Sequence, residues 1–208
     1  MKPQRKYINQ EIEKSDYTET FIIVSGLFFL WGFITSMNGI LNSKLQLVFQ
    51  LDTFNSILVQ SSFFGSYFFF SFIYYVSSVR FGDPILKYGF RDTIITGLII
   101  TGTGCALFYP AADLGSYNIF LTALIILAGG ITVLQIAANS YVTLLGDSKN
   151  SASRLILAQA LNSLGATLAP FTSLLIFTNT QSVTSINSLK LPYLGLTAAI
   201  LFFAFLLS

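Results

Sequence analysis

The sequence predicts an all-α membrane protein, built as a bundle of six transmembrane helices. Charged residues make up 10% of the 208 residues, against about 25% in soluble domains. Hydrophobic residues make up 53%, and the mean hydropathy is +0.70. The apolar residues fall into six runs, each near the length that a helix needs to cross a bilayer. These predicted spans are 21–46, 56–78, 93–109, 117–145, 155–178 and 192–208.

The first two spans follow a polar tail. Residues 1–20 are polar and mixed in charge, so we expect a tail rather than a cleaved signal peptide. The second half of the first span carries Thr35, Asn38 and Asn42, whose spacing places them on one helix face. The second span is crowded with aromatic residues, which we interpret as packing or lipid-facing bulk, and it has one amide, Gln60, near its start.

The fourth span is the one around which the chain is organised. It is long enough to cross a bilayer, yet Gln135 and Asn139 lie deep inside it. They are four residues apart, so they stack on one face of a helix. A bare amide in hydrocarbon costs free energy, and that face is therefore expected to look into protein or water.

The fifth and sixth spans complete the predicted bundle. The fifth span has polar residues along one flank, namely Gln159, Asn162, Ser163 and Thr167. The sixth span, 192–208, is 17 residues long and lies at the lower limit for crossing a bilayer. We therefore expect this span to be either minimal or cut short.

The basic residues predict the orientation. Nine of the eleven lysines and arginines fall on the side of the N-terminus, and only Lys44 and Lys190 fall on the other. Because cytoplasmic loops carry an excess of basic residues, we expect a cytoplasmic N-terminus and a multi-pass protein of a bacterial inner membrane.

The composition argues against several functions. The chain has no histidine, one cysteine (Cys105), and all nine acidic residues can be placed outside the spans. A metal-ligand cluster or a catalytic nucleophile–base pair cannot be built from these residues, so an enzyme is not expected. We expect no cofactor. The basic residues form no arginine-rich patch, and nucleic acid is not expected as a partner.

The amides in the spans leave two interpretations open. Amides both donate and accept hydrogen bonds, so they suit a neutral, hydroxyl-rich solute, although they cannot carry a proton. They also join transmembrane helices to one another, contributing about 0.6 to 2 kcal/mol each. Five amides on three predicted helices make a polar cavity and helix–helix contact equally good interpretations: Asn38, Gln135, Asn139, Gln159 and Asn162.

Several sequence blocks stand out along the chain: FFLWGF and NGIL in the first span, QSSFFGSY in the second, LFYPAA after the third, LQIAANSYVTLLG in the fourth and RLILAQALNSLGA in the fifth. Together these blocks resemble the fucose–galactose–glucose:proton symporter family of the major facilitator superfamily. The connection GDPILKYGFR is similar to the superfamily signature between helices two and three. LQIAANSY is more similar to the glucose/galactose branch than to the fucose branch.

The resemblance covers about residues 21–208 and implies the N-terminal half of a twelve-helix sugar transporter. It implies sugar contact through Gln135, Gln159 and Asn162, and we add Asn38 on the polar face of the first span as a fourth candidate substrate-binding residue. Asn139 is expected to pack between helices instead. The family commonly has an aspartate where this chain has Gly39, and its loss argues against proton coupling.

The sequence therefore predicts a truncated hexose transporter of the glucose/galactose type, with a C-terminal six-helix half or a second copy as its partner in the bilayer. The alternative is a non-transporting membrane partner, or a decayed half-transporter, that packs against another carrier. The sequence does not specify the sugar or the coupling ion.

Overall fold

The computed structural model describes residues 17–178 and 186–208, with the side chains of 173–178 excepted, and it contains no strand in those ranges. The α-helices in the described ranges are α1 (Tyr17–Phe49), α2 (Thr53–Phe81), α3 (Pro84–Tyr88), α4 (Phe90–Asp113), α5 (Tyr117–Leu144), α6 (Ser151–Thr178) and α7 (Lys190–Leu207). All but the short α3 belong to segments long and apolar enough to cross a membrane. The predicted all-α, six-helix fold is confirmed.

The helices run past the predicted spans at most ends. Helix α1 begins at Tyr17, inside the stretch predicted as a tail, and residues 1–16 of that tail lie outside the described residues. Helix α4 continues through Pro110 to Asp113, although a proline inside a helix removes one backbone hydrogen bond and crowds the preceding turn. Residues 186–189 form a 3₁₀ turn that leads directly into α7.

The short connections are closed by side chains that cap the helix ends. The carboxylates of Asp52, Asp83 and Asp147 accept hydrogen bonds from backbone N–H groups two or three residues further on. Arg154 donates to the carbonyl oxygens of Val142 and Thr143 at the end of α5, at 3.2 and 3.1 Å. A cation at this end also interacts favourably with the helix dipole.

The two ends of the bundle differ in charge. One end, called here the basic end, holds the starts of α1, α4 and α6 and the ends of α2, α5 and α7, together with Arg80, Lys87, Arg91, Lys149 and Arg154. There Arg91 donates to the carbonyl oxygen of Leu207, which joins α4 to α7. At the opposite end, Lys190 forms an ion pair with Asp113 at 2.6 Å, and buried Lys44 donates to Ser188.

Close backbone contacts at glycine hold the helices in two pairs. A Cβ placed on Gly32 of α1 would overlap the carbonyl oxygen of Asn162 on α6, and one on Gly165 of α6 would overlap that of Phe29. Helices α4 and α5 meet in the same way at Gly97, Gly104 and Gly130. Small residues allow this approach, which stabilises transmembrane helix pairs through van der Waals contact.

The helices differ in how much of their surface is buried. Helices α1, α4 and α5 contribute most of the buried residues, including Phe28, Phe108 and Phe120. Tyr193 of α7 stacks on Phe108 with ring centroids 4.0 Å apart. Helices α2 and α6 are mostly exposed, and α2 presents large aromatic side chains outward, such as Phe68, which is 75% exposed.

The glycine contacts make a prediction about stability. We expect Gly165→Ala to lower the free energy of unfolding by about 1 to 3 kcal/mol, because the new Cβ must push α6 away from the Phe29 carbonyl oxygen. The matched control is Gly65→Ala on α2, where a Cβ meets nothing within 4 Å. Unfolding in mild detergent, followed by circular dichroism, measures both. Equal stability of the two variants would contradict the contact.

Candidate functional site

Helices α5 and α6 are joined by an amide pair near the basic end. Gln159 Nε2 donates to Asn139 Oδ1 at 3.1 Å. With a rise of about 1.5 Å per residue, Asn139 lies about 8 Å from the end of α5 and Gln159 about 12 Å from the start of α6. Gln135 is one turn deeper and partly buried, and its side chain forms no hydrogen bond within the described part of the chain. The Gln135 amide is therefore available to a solute.

Asn162 joins α6 to α1. The Asn162 side-chain Nδ2 donates to the backbone carbonyl oxygen of Phe28 at 3.0 Å. The backbone carbonyl oxygen of Asn162 lies against Gly32. This amide is a helix–helix contact in the structure, which is the role that sequence reasoning assigned to Asn139. Its carboxamide oxygen remains the part of the side chain with which it could also contact a solute.

A second amide pair joins α1 to α2 much farther from the basic end. Asn38 Nδ2 lies 3.5 Å from Gln60 Oε1, a long hydrogen bond. Counted along each helix, both residues lie about 30 Å from the basic end. Asn38 is buried, with 2% of its surface exposed.

Between the two amide levels lies a cluster of hydroxyl and aromatic side chains. The Tyr67 hydroxyl on α2 lies beside Thr35 and Trp31 of α1, although neither contact has the geometry of a hydrogen bond. Trp31 and Tyr67 are each about 21 Å from the basic end by the same count. Sequence reasoning noted Thr35 and Gln60 without placing them in the site, and it interpreted the aromatic residues of the second span, which include Tyr67, as packing or lipid-facing bulk.

Several buried oxygens near these clusters have no hydrogen-bond partner within the described residues. They belong to Ser25, Thr35, Asn38, Asn42 and Tyr67. Four of them lie on α1 and follow one another through most of its depth. An unpaired buried polar oxygen costs about 1 to 3 kcal/mol, so these side chains destabilise the bundle in this arrangement.

The site has polarity without charge. Within the described residues no group of His, Cys, Asp and Glu side chains could hold a metal ion. Among the described side chains, Lys44 is the basic one that is buried within a span, and it lies close to the end opposite the basic end. Gly39, the position at which the sequence resemblance implies an aspartate in related transporters, is exposed, and a Cβ placed there would meet nothing within 4 Å. The backbone would therefore accept a carboxylate side chain at this position.

The four predicted site residues thus occupy different places. Gln135 and Gln159 lie at the amide level near the basic end, Asn162 lies slightly deeper against α1, and Asn38 lies at the far level. The structure shows no direct hydrogen bond among these four residues. Their assignment to a sugar site stays a prediction.

Comparison with known proteins shows what the chain is similar to. No family model matches it. A putative glucose/galactose transporter of Helicobacter pylori (strain ATCC 700392 / 26695) is 44% identical over 206 residues, an alignment that covers 94% of this chain and 49% of the relative. The glucose/galactose transporter of Brucella abortus is 44% identical over 177 residues, covering 83% of this chain and 41% of the relative.

The fucose transporters are similar as well. The L-fucose-proton symporter of Escherichia coli is 38% identical over 157 residues, covering 76% of this chain and 34% of the relative. The crystal structure of that organism's fucose:proton symporter FucP superimposes with a TM-score of 0.73 at 33% identity, covering 93% of this chain and 49% of FucP. The chain spans about half the length of the relatives that it matches.

Proposed function

Because this chain belongs to the major facilitator family that contains the glucose/galactose transporters and the L-fucose–proton symporters, we propose that it forms the N-terminal half of a hexose transporter. The observation that carries the proposal is the uncharged polar lining of α1, α2, α5 and α6. Neutral hexoses bind through many hydroxyl groups, and the amide and hydroxyl side chains here offer both donors and acceptors.

The proposal assigns roles to the candidate residues. Gln135 and Gln159 bind hexose at the level near the basic end, and Asn38 binds it at the far level. Asn162 contributes its carboxamide oxygen while its Nδ2 holds α6 against α1. Trp31 and Tyr67 lie between the levels, where an aromatic face and a hydroxyl suit a sugar ring.

A second six-helix half would complete such a transporter. Transporters of this superfamily hold substrate between two halves related by an axis along the membrane normal. The mostly exposed helices α2 and α6 are the natural contacts for that half. We propose that it is a C-terminal six-helix bundle, with a second copy of this chain as the other arrangement.

A different function is favoured by one observation. Asn139, Gln159 and Asn162 already use amide groups in contacts between helices. This supports a non-transporting membrane partner, in which the amides hold the bundle together and no hexose binds. A direct test of hexose binding separates the two functions.

The single tryptophan makes hexose binding measurable. We expect glucose or galactose to change Trp31 fluorescence saturably in purified protein, because Trp31 lies beside the polar cluster. Gln135→Ala should weaken hexose affinity by roughly 2- to 13-fold, the effect of losing one hydrogen bond. Thr103→Ala, on an exposed position of α4, is the matched control and should leave the affinity unchanged. Folded protein that shows no hexose response would support the non-transporting partner.

Coupling to protons is tested by the pH dependence of hexose affinity. We expect the wild-type affinity to be flat between about pH 4 and 8, because no carboxylate or histidine lies within the polar lining. Gly39→Asp should introduce a titration with a midpoint at or above about pH 4, because a carboxyl group moved out of water has a raised pKa. Gly39→Asn is the non-titrating control. A wild-type titration in this range would contradict the argument.

We also propose that the basic end faces the cytoplasm of a bacterial cell, because it carries five basic residues in its connections and helix ends. Cysteines introduced at Lys87 and Lys149 should resist a membrane-impermeant reagent added to intact cells. A cysteine at Leu114, exposed at the opposite end, should react. The native Cys105 is buried and gives little background. Labelling at Lys87 and Lys149 from outside would reverse the orientation.

A further inference from the structure

An apolar cleft lies between α6 and α7, toward the end of the bundle opposite the basic end and apart from the polar lining of the proposed sugar path. Its volume is about 290 Å³, close to the lower limit for small-molecule sites. Helix α1 forms its floor, and α6 and α7 form its walls. The residues that line it include Phe33, Met37, Thr172, Pro192, Gly195 and Leu196.

The lining of the cleft offers almost nothing to water. Thr172 carries the one hydroxyl group among the described lining residues, and its Oγ1 already donates to the Ala169 carbonyl oxygen at 2.9 Å. The other lining side chains are hydrocarbon or thioether. A buried water needs several polar partners, so an apolar ligand fits this space better than water does.

The cleft is closed toward the basic end and open farther from it. A Cβ placed on Gly26 of α1 would lie 2.9 Å from the Phe203 ring of α7, so these two helices are in contact there. On the other side of the cleft, a Cβ on Gly195 would meet nothing within 4 Å, and Leu191 is 77% exposed. Met37 lies beneath them with 3% of its surface exposed. The shape therefore admits one narrow chain from outside the bundle.

A positive charge lies at the outer end of the cleft. Lys44 shares one face of α1 with Phe33 and Met37, because spacings of seven and eleven residues return to the same side of a helix. The Lys44 ammonium donates to Ser188 Oγ, in the turn that precedes α7. Along α1, Met37 and Phe33 lie about 11 and 17 Å deeper than Lys44.

This charge and the apolar space beneath it narrow the class of ligand. A hydroxyl group is neutral, so the contact with Ser188 does not neutralise the Lys44 ammonium. Lys44 is buried, and an anion brought to its level is attracted to it more strongly than in bulk water. It also lies about 8 Å from the end of α1, at the level of the membrane head groups. An anionic head with a hydrocarbon chain matches this arrangement.

We propose that the cleft binds one acyl chain of an anionic phospholipid, from the leaflet at the end opposite the basic end. The phosphate faces Lys44, and the acyl chain passes Leu191 and lies along Met37. A zwitterionic lipid places the same chain in the cleft but brings a second, positive charge toward Lys44, so it binds more weakly. The site exists whether or not this chain binds hexose.

The test is photocrosslinking in a reconstituted bilayer. Phosphatidylglycerol and phosphatidylcholine, tested separately, carry the same photoactivatable group on one acyl chain, and mass spectrometry of proteolytic peptides locates the adduct. Met37 is the diagnostic residue, because bulk lipid does not reach so buried a side chain. We expect both lipids to label Met37, and phosphatidylglycerol to label it roughly fivefold more, the effect of one ion pair at the upper end of the range for solvated pairs.

Two pairs of variants complete the experiment. Gly195→Phe fills the cleft and should abolish the labelling of Met37 by both lipids. Its matched control is Gly65→Phe, at another glycine where a Cβ meets nothing within 4 Å, and this variant should label as the wild type does. Lys44→Met should make the two lipids label equally. Lys149→Met removes an exposed lysine at the basic end and should keep the preference.

The wild type alone can overturn the proposal, so the test does not depend on the folding of any variant. Absence of label on Met37, or equal labelling by the two lipids, would do so. Labelling that survives Gly195→Phe, or a preference that survives Lys44→Met, would contradict it as well.

Discussion

Backbone contact at glycine is the constraint on which the rest of this structure depends. Within a bilayer, burying apolar side chains gives little drive to helix association, because lipid is as apolar as leucine. Gly32 and Gly165 therefore set how closely α1 approaches α6, and Gly97, Gly104 and Gly130 do the same for α4 and α5. The contact at Gly32 also brings the Asn162 amide within reach of the Phe28 carbonyl oxygen. The position of Asn162, a candidate sugar-binding residue on α6, thus depends on Gly32 of α1.

The sequence predicts the helices well and their polar contacts poorly. Hydropathy and length predict six spans because a transmembrane helix satisfies its own backbone and needs only apolar side chains around it. Helical spacing also predicts that Gln135 and Asn139 share one face of α5, one turn apart. It does not predict that Asn139 bonds to Gln159, or that Tyr67 lies beside Trp31, because these contacts depend on how separate helices approach one another. Tyr67 is one of many aromatic residues in its span, so the sequence does not distinguish it from the others. The burial of its hydroxyl becomes clear only from the packing of α1 against α2.

The polar side chains of the proposed sugar path lie at several depths and carry no charge. Asn38 and Gln60 lie about 30 Å from the basic end, whereas Asn139 and Gln159 lie about 8 to 12 Å from it. A solute that passed along α1 would meet donors and acceptors at each level. None of these side chains changes charge at physiological pH. The arrangement therefore suits a neutral solute.

The same contacts bear on whether the half-bundle persists without a partner. An amide facing hydrocarbon costs free energy, so exposed polar flanks would favour misfolding of an isolated half. On α6, however, Ser163 and Thr167 donate to carbonyl oxygens one turn earlier, and Gln159 is joined to Asn139. Most of the polar flank of α6 is thereby satisfied within the chain, whereas the Gln135 side chain on α5 forms no hydrogen bond within the described residues. Gln135 is one of the residues that the proposed function assigns to hexose, so a bound sugar and a second half would both stabilise the protein at this position.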